Sequence, residues 1–138
     1  MAAQSAGVDC WVKKLNTGSE DVFLAGTMKD SAAGSCTVIL KDGKELTAKS
    51  HDVFSANPAG LVCPDNTMLI HLNEPALLEN VKARYTAKDI YTLTGSILLA
   101  MNPFEALPVY SEAIMSKYKG VQLGKAPPHV YAVAEAAY

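Results

Sequence analysis

The spacing of apolar residues changes at Asn57-Pro58-Ala59-Gly60, and that switch restricts the chain to folds in which a β-rich part precedes a part built from helices and a few strands. Before the switch, short β-rich runs alternate with turn chemistry. Residues 10–15 and 22–28 are strand-like, Asn16-Thr17-Gly18 lies between them, and residues 31–34 supply the next loop. Residues 36–41 then face residues 44–49 across Asp42-Gly43, the strongest short-range hairpin signal available. Four or five short strands in so little chain predict a small barrel.

After the switch, apolar residues recur every three or four positions and helix caps appear. Asp65 or Asn66 can cap a short helix carrying Met68, Leu69 and Leu72. Asn73, followed by Glu74 and Pro75, opens a longer helix whose expected apolar stripe is Leu77, Leu78, Val81 and Tyr85. The segment IYTLTGSILLAM, residues 90–101, fits two short strands joined near Gly95 and buried on both faces. Ser111 can cap a helix with Ile114, Met115 and Tyr118 that stops at Gly120. Pro127-Pro128 starts a final helix in which Val130, Val133, Ala134 and Ala137 share a face, and that pattern reaches Tyr138 without a stop signal, as if the fold continued beyond it. The expected domains are residues 1–56 and 57–138.

Of the 138 residues, 49% are hydrophobic and 19% charged, the balance of a folded globular protein. A formal net charge of −2 with scattered Lys and Arg gives no basic field for a polyanion, which argues against nucleic acid as a partner. Three cysteines at wide spacing form neither a zinc motif nor a disulfide framework, so reduced, buried thiols are expected. No stretch approaches the ~18 apolar residues of a membrane span, and no signal-peptide pattern opens the chain. The cytoplasm is the expected compartment.

Few residues are arranged for chemistry. No nucleophile and base form a recognisable motif, and none of His51, His71 and His129 has a second ligand three or four positions away, so no catalytic or metal-binding residues are assigned. Residues 120–126, GVQLGKA, imitate a phosphate-binding loop. The imitation fails: the glycines are one residue too close, Ala126 replaces the hydroxyl that would hold magnesium, and Pro127-Pro128 removes two amide donors. More informative is NPFEALPVY, residues 102–110, where two prolines stiffen a nine-residue loop at a strand's end. Such a loop can present an amide, an aromatic ring and a phenol as a shelf for a purine base. On the residues alone a stiff turn whose Phe104 and Tyr110 pack into the core is the better reading.

Four stretches in order, DNTMLIHLNEPALLENVKARY (65–85), DIYTLTGSILLAMNPFEALPVY (89–110), SKYKG (116–120) and PPHVYAVAEAAY (127–138), resemble the opening of the myosin motor head. Residues 10–56 are similar, less specifically, to the small Src-homology-type barrel that precedes that head in many myosins, and SHDVFSANP (50–58) to its exit.

The resemblance implies an α+β fragment: a small β-barrel over residues 1–56, then the first helices and two transducer strands of an α/β P-loop motor head, whose central sheet has seven strands. It also implies that the Asn-Pro loop lines the adenine pocket of ATP. On that basis Asn102 and Pro103 meet the purine edge and face, Phe104 forms a wall and Tyr110 offers its hydroxyl. Glu105 and Ala106 depart from the Lys or Arg often found nearby. The phosphate loop, the magnesium-holding switches, the actin-binding surfaces and the light-chain-binding lever would all lie downstream. ATP and Mg2+ are thus cofactors of the full-length motor, an ATPase, with actin filaments and light chains as its partners at the cytoskeleton. Residues 1–138 alone are expected neither to hydrolyse ATP nor to bind it tightly. The alternative is a non-catalytic binding module on the barrel, followed by a degenerate head remnant.

Overall fold

The computed structural model describes residues 7–14 and 22–138; the expected turn at Asn16-Thr17-Gly18 and the expected strand end at Leu15 lie outside the described residues. The chain divides into two compact units, one of Met1–Pro58 with Asn73–Ala76 and one of Ala59–Leu72 with Leu77–Tyr138.

The first unit is a five-stranded antiparallel sheet: β1 (Asp9–Lys13), β2 (Phe23–Ala32), β3 (Ser35–Leu40), β4 (Glu45–Lys49) and β5 (Val53–Ser55), ordered β4-β3-β2-β1-β5. Period-two alternation places Cys10 and Val12 of β1, Met28 of β2 and Cys36 and Val38 of β3 on one inward face, where Val53 joins them. All three cysteines are free and buried. Burial, with smaller contributions from Asp9 and Cys36, pushes the Cys10 thiol up to about 11, so it packs as a small hydrophobe.

The Asp42-Gly43 turn forms as expected: Gly43 has φ +83°, Asp42 accepts from Lys44 N–H at 3.0 Å, and that bond holds its carboxyl below the usual carboxylate range. In contrast, β2 outruns the expected loop at residues 31–34. It continues to Ala32 because a bulge between Met28 and Asp30 resets its register with β3, and the chain reverses at Ala33 and Gly34 with φ +38° and +90°.

The expected closed barrel is instead an open sheet, because β4 and β5 pair only with β3 and β1. The sheet must nonetheless curl. Five flat strands span about 19 Å between edge strands, whereas the step from Lys49 at the end of β4 to Val53 at the start of β5 covers at most ~14 Å. The link, Ser50–Asp52, is a single 3-10 turn that carries the chain across the opening instead of zipping the edges together.

The expected caps at Asp65, Asn73 and Ser111 form, but the first helical segment ends at Met68, short of the expected Leu72, and the Ser111 helix at Ser116, short of Gly120. Asp65 caps a one-turn 3-10 segment, Asn66–Met68, by accepting from Thr67 N–H. Asn73 Oδ1 accepts from Ala76 N–H at 3.1 Å at the start of α1 (Glu74–Thr86). A hairpin of β6 (Tyr91–Thr94) and β7 (Ile97–Ala100) follows, with Gly95 at φ +63° in its turn. Ser111 caps the short α2 (Glu112–Ser116), and α3 spans Val130–Ala137.

The buried faces differ from expectation. Helix α1 buries Pro75, Ala76, Asn80 and Arg84, while of the expected stripe Leu77, Val81 and Tyr85 are half-buried and Leu78 is exposed. Helix α3 buries Ala132, not the Val130 face. Strand β6 is buried, but β7 is largely exposed, and among the described residues its outer edge has no partner strand. No helix among the described residues is long and apolar enough to cross a membrane.

Candidate functional site

The site rests on a polar scaffold. Asn80 holds Cys63 from both sides, accepting from its N–H and donating to its carbonyl, each at 2.9 Å, and donates to Asn66 Oδ1 at 2.7 Å. Asn66 in turn donates to Thr94 Oγ1 at 3.0 Å, tying the network to β6. One turn further along α1, Arg84 donates from Nε to Thr92 Oγ1 at 3.0 Å and from Nη2 to the Tyr91 carbonyl at 2.9 Å, with Asp89 3.8 Å from Nη1. Burial pushes the Asp65 carboxyl up, but bonds from Thr67 N–H, Gly95 N–H and the Thr67 hydroxyl outweigh it and hold the group below its ordinary range. The side-chain hydrogen bonds that tie the hairpin to α1 are therefore made by buried polar groups that are all satisfied.

The loop of residues 102–110 leaves β7 and stands in solvent. Phe104 is 88% exposed and Tyr110 53%, and Asn102 is also exposed while Pro103 is half-buried. Within these residues Phe104 packs into no core, while the Tyr110 ring lies edge-on to His129 and Tyr131. Asn102 Oδ1 accepts from Phe104 N–H at 2.9 Å, closing a tight turn that holds Phe104 at φ +52°. A bulky residue in the left-handed region is strained, and an exposed ring contributes no packing to offset that strain.

Both ends of the loop are held. At the entry, the Tyr85 hydroxyl donates to the Asn102 carbonyl at 3.2 Å, and Lys88, itself at φ +67°, forms an ion pair with Glu105. The hydrogen bond to Glu105 draws the Lys88 ammonium above its ordinary range. At the exit, His129 Nε2 bonds the Val109 carbonyl at 2.8 Å and the Tyr131 hydroxyl donates to the Tyr110 carbonyl at 2.8 Å. The phenols of Tyr110 and Tyr91 meet at 2.6 Å.

Sequence reasoning found the loop but missed these holders. His129, expected inside the final helix, is instead its N-cap, with Nδ1 accepting from Tyr131 N–H at 3.0 Å. The position directly after Pro127-Pro128 was the available signal, since a cap precedes the first helical residue. The GVQLGKA segment lines a separate cavity of about 530 Å³ with Asp65, Arg84 and Asp89, and no residue of 102–110 borders it. Among the described residues no three His, Cys, Asp or Glu side chains gather as metal ligands.

Burial, then the hydrogen bond with Tyr110, pushes the Tyr91 phenol up to about 12. A raised folded value means that the stabilisation is complete below the unfolded value near 10 and is lost as pH rises through 12. Absorbance titration is expected to show tyrosine ionisation extending to near pH 12, together with collapse of the near-ultraviolet circular dichroism. Ionisation of all six tyrosines near pH 10 with the dichroism intact is the contrary result.

Residues 63–138 match the family "Myosin head (motor domain)", and the chain is a member of that family. It is 38% identical to Myosin-8 of Arabidopsis thaliana over 138 residues, an alignment that takes in 97% of this chain and 9% of that protein. The chain thus spans only a small part of this relative's length.

Proposed function

We propose that these residues form the start of an ATP-dependent, actin-based motor and supply the adenine side of its nucleotide site. Residues 1–56 are then the small N-terminal β domain, an open sheet rather than a closed barrel, and residues 57–138 the first portion of the head. The observation that carries this reading is the loop itself: a strained, solvent-facing Phe104 and an exposed Tyr110 on a backbone fixed at both ends. Structure held under strain without packing benefit is typical of ligand sites. Pro103 and the Phe104 ring suit the face of a purine, and the Asn102 amide and the Tyr110 hydroxyl suit its edge. The Lys88 pair with Glu105 occupies the charge at this rim, which favours a neutral base over a phosphate.

Phosphates and magnesium would be handled by a glycine-rich loop and two switch segments elsewhere in the heavy chain, as would actin and light chains. Contacts to one base contribute about 1–3 kcal/mol, whereas a millimolar dissociation constant needs about 4. Titration calorimetry of residues 1–138 with ATP is therefore expected to give no measurable heat of binding. In the complete heavy chain, Tyr110→Ala is expected to weaken ATP about tenfold while leaving inorganic tripolyphosphate unchanged. Phe104→Gly should weaken ATP similarly without lowering the melting temperature, since it removes left-handed strain of about 1 kcal/mol. Micromolar binding by the 138 residues, or unaltered ATP affinity in both variants, contradicts the reading.

A further inference from the structure

The exit of the loop is fastened by one side chain with two separate duties. His129 is 5% exposed, and both of its ring nitrogens are committed. Nδ1 accepts from Tyr131 N–H at 3.0 Å, so the ring proton sits on Nε2 and is donated to the Val109 carbonyl at 2.8 Å. The first bond caps α3; the second reaches the backbone beside Tyr110. Tyr118 lies almost parallel to the imidazole, with centroids 5.1 Å apart and planes at 29°, and its own hydroxyl is anchored on the Pro127 carbonyl at 3.1 Å. Tyr91, Tyr110 and Tyr131 surround the ring at 5.0, 5.8 and 4.6 Å. The imidazole therefore cannot swing without disturbing the phenol proposed to meet the base.

We infer that His129 is a positioning residue of the nucleotide site: its Nε2–H sets the Val109-Tyr110 backbone, and through it the Tyr110 phenol, while its Nδ1 separately caps α3. The inference rests on the base-side reading of the loop. The two duties are separable chemically. Asparagine places an acceptor where Nδ1 stands but is too short to reach Val109, whereas glutamine places a donor amide near the position of Nε2 without the cap.

The test compares His129→Asn and His129→Gln in the complete heavy chain, measuring affinity for ATP and for inorganic tripolyphosphate together with the melting temperature. Loss of one positioning hydrogen bond is expected to reduce the ATP-over-tripolyphosphate preference of His129→Asn about tenfold, alongside a lower melting temperature from the lost ring packing. His129→Gln is expected to keep the preference within about twofold of the parent while melting lower for want of the cap. A parental preference in His129→Asn overturns the inference, as does equal weakening for both ligands or loss of preference in both variants. Tyr110→Ala separates the two levels. If it abolishes the preference while His129→Asn does not, only the positioning role fails; if neither has an effect, the base-side reading fails with it.

Discussion

Asn80→Ala is expected to destabilise the second unit by about 3 kcal/mol, lowering its melting temperature by more than 10 °C. The side chain is 2% exposed and serves three partners at once. Truncation strands the Cys63 N–H, the Cys63 carbonyl and the Asn66 amide oxygen away from water, and each orphaned group costs about 1–3 kcal/mol where water cannot replace the partner. Entry of a water into the vacated volume sets the lower limit. The damage should propagate to β6, because Asn66 also holds Thr94. Urea unfolding followed by circular dichroism provides the measurement, and a change below about 0.5 kcal/mol would mean that the amide network contributes nothing net.

Gly26→Ala is expected to cost the first unit a comparable amount, about 3 kcal/mol, by a different route. A Cβ on Gly26 would stand 2.6 Å from the Ile39 carbonyl oxygen and 2.6 Å from Val38 Cγ1. Val38 sits in the core and can turn only at the expense of its neighbours, and the Ile39 carbonyl belongs to the backbone of β3, so the β2–β3 ladder itself must shift. Gly34→Ala is the informative contrast. That residue has φ +90° but open space around its missing Cβ, so the substitution meets only conformational strain, about 1 kcal/mol. Equal losses for the two variants would mean that close approach between strands is not what position 26 requires.

The parts of the fold legible in sequence were those written in local chemistry. Asp42-Gly43 marked its hairpin, and Asp65, Asn73 and Ser111 marked the starts of their helices, because a cap acts on backbone two or three residues away. The face of α1 was misread for a reason inherent in apolar periodicity, which assumes that buried means apolar. Asn80 and Arg84 are buried as hydrogen-bonding hubs, and no pattern of hydrophobic residues can report them. The open sheet was equally hidden, since whether β4 meets β5 depends on the path of Ser50–Asp52 rather than on the composition of either strand.

The candidate site divides along the same line. Two prolines made residues 102–110 conspicuous, and the family resemblance singled out Asn102, Pro103, Phe104 and Tyr110 within it. The groups that hold the loop, Tyr85, His129 and Tyr131, lie 17, 20 and 21 positions from the residues they bond. Separation of that size leaves no trace in local sequence. The left-handed Phe104 was also invisible, because nothing in the residue type favours that conformation.

Strand β7 has a practical consequence. From Gly95 to Met101 the sequence contains no charge and no proline, Ile97 is 63% exposed, and the outer row of amides and carbonyls meets no strand among the described residues. Natural sheets guard such borders with lysine, proline or bulges, and an unguarded one recruits whatever extended peptide it encounters. Made by itself, the polypeptide would carry a built-in nucleus for fibril growth, and its concentration in a test tube would be limited by this short border rather than by its overall charge.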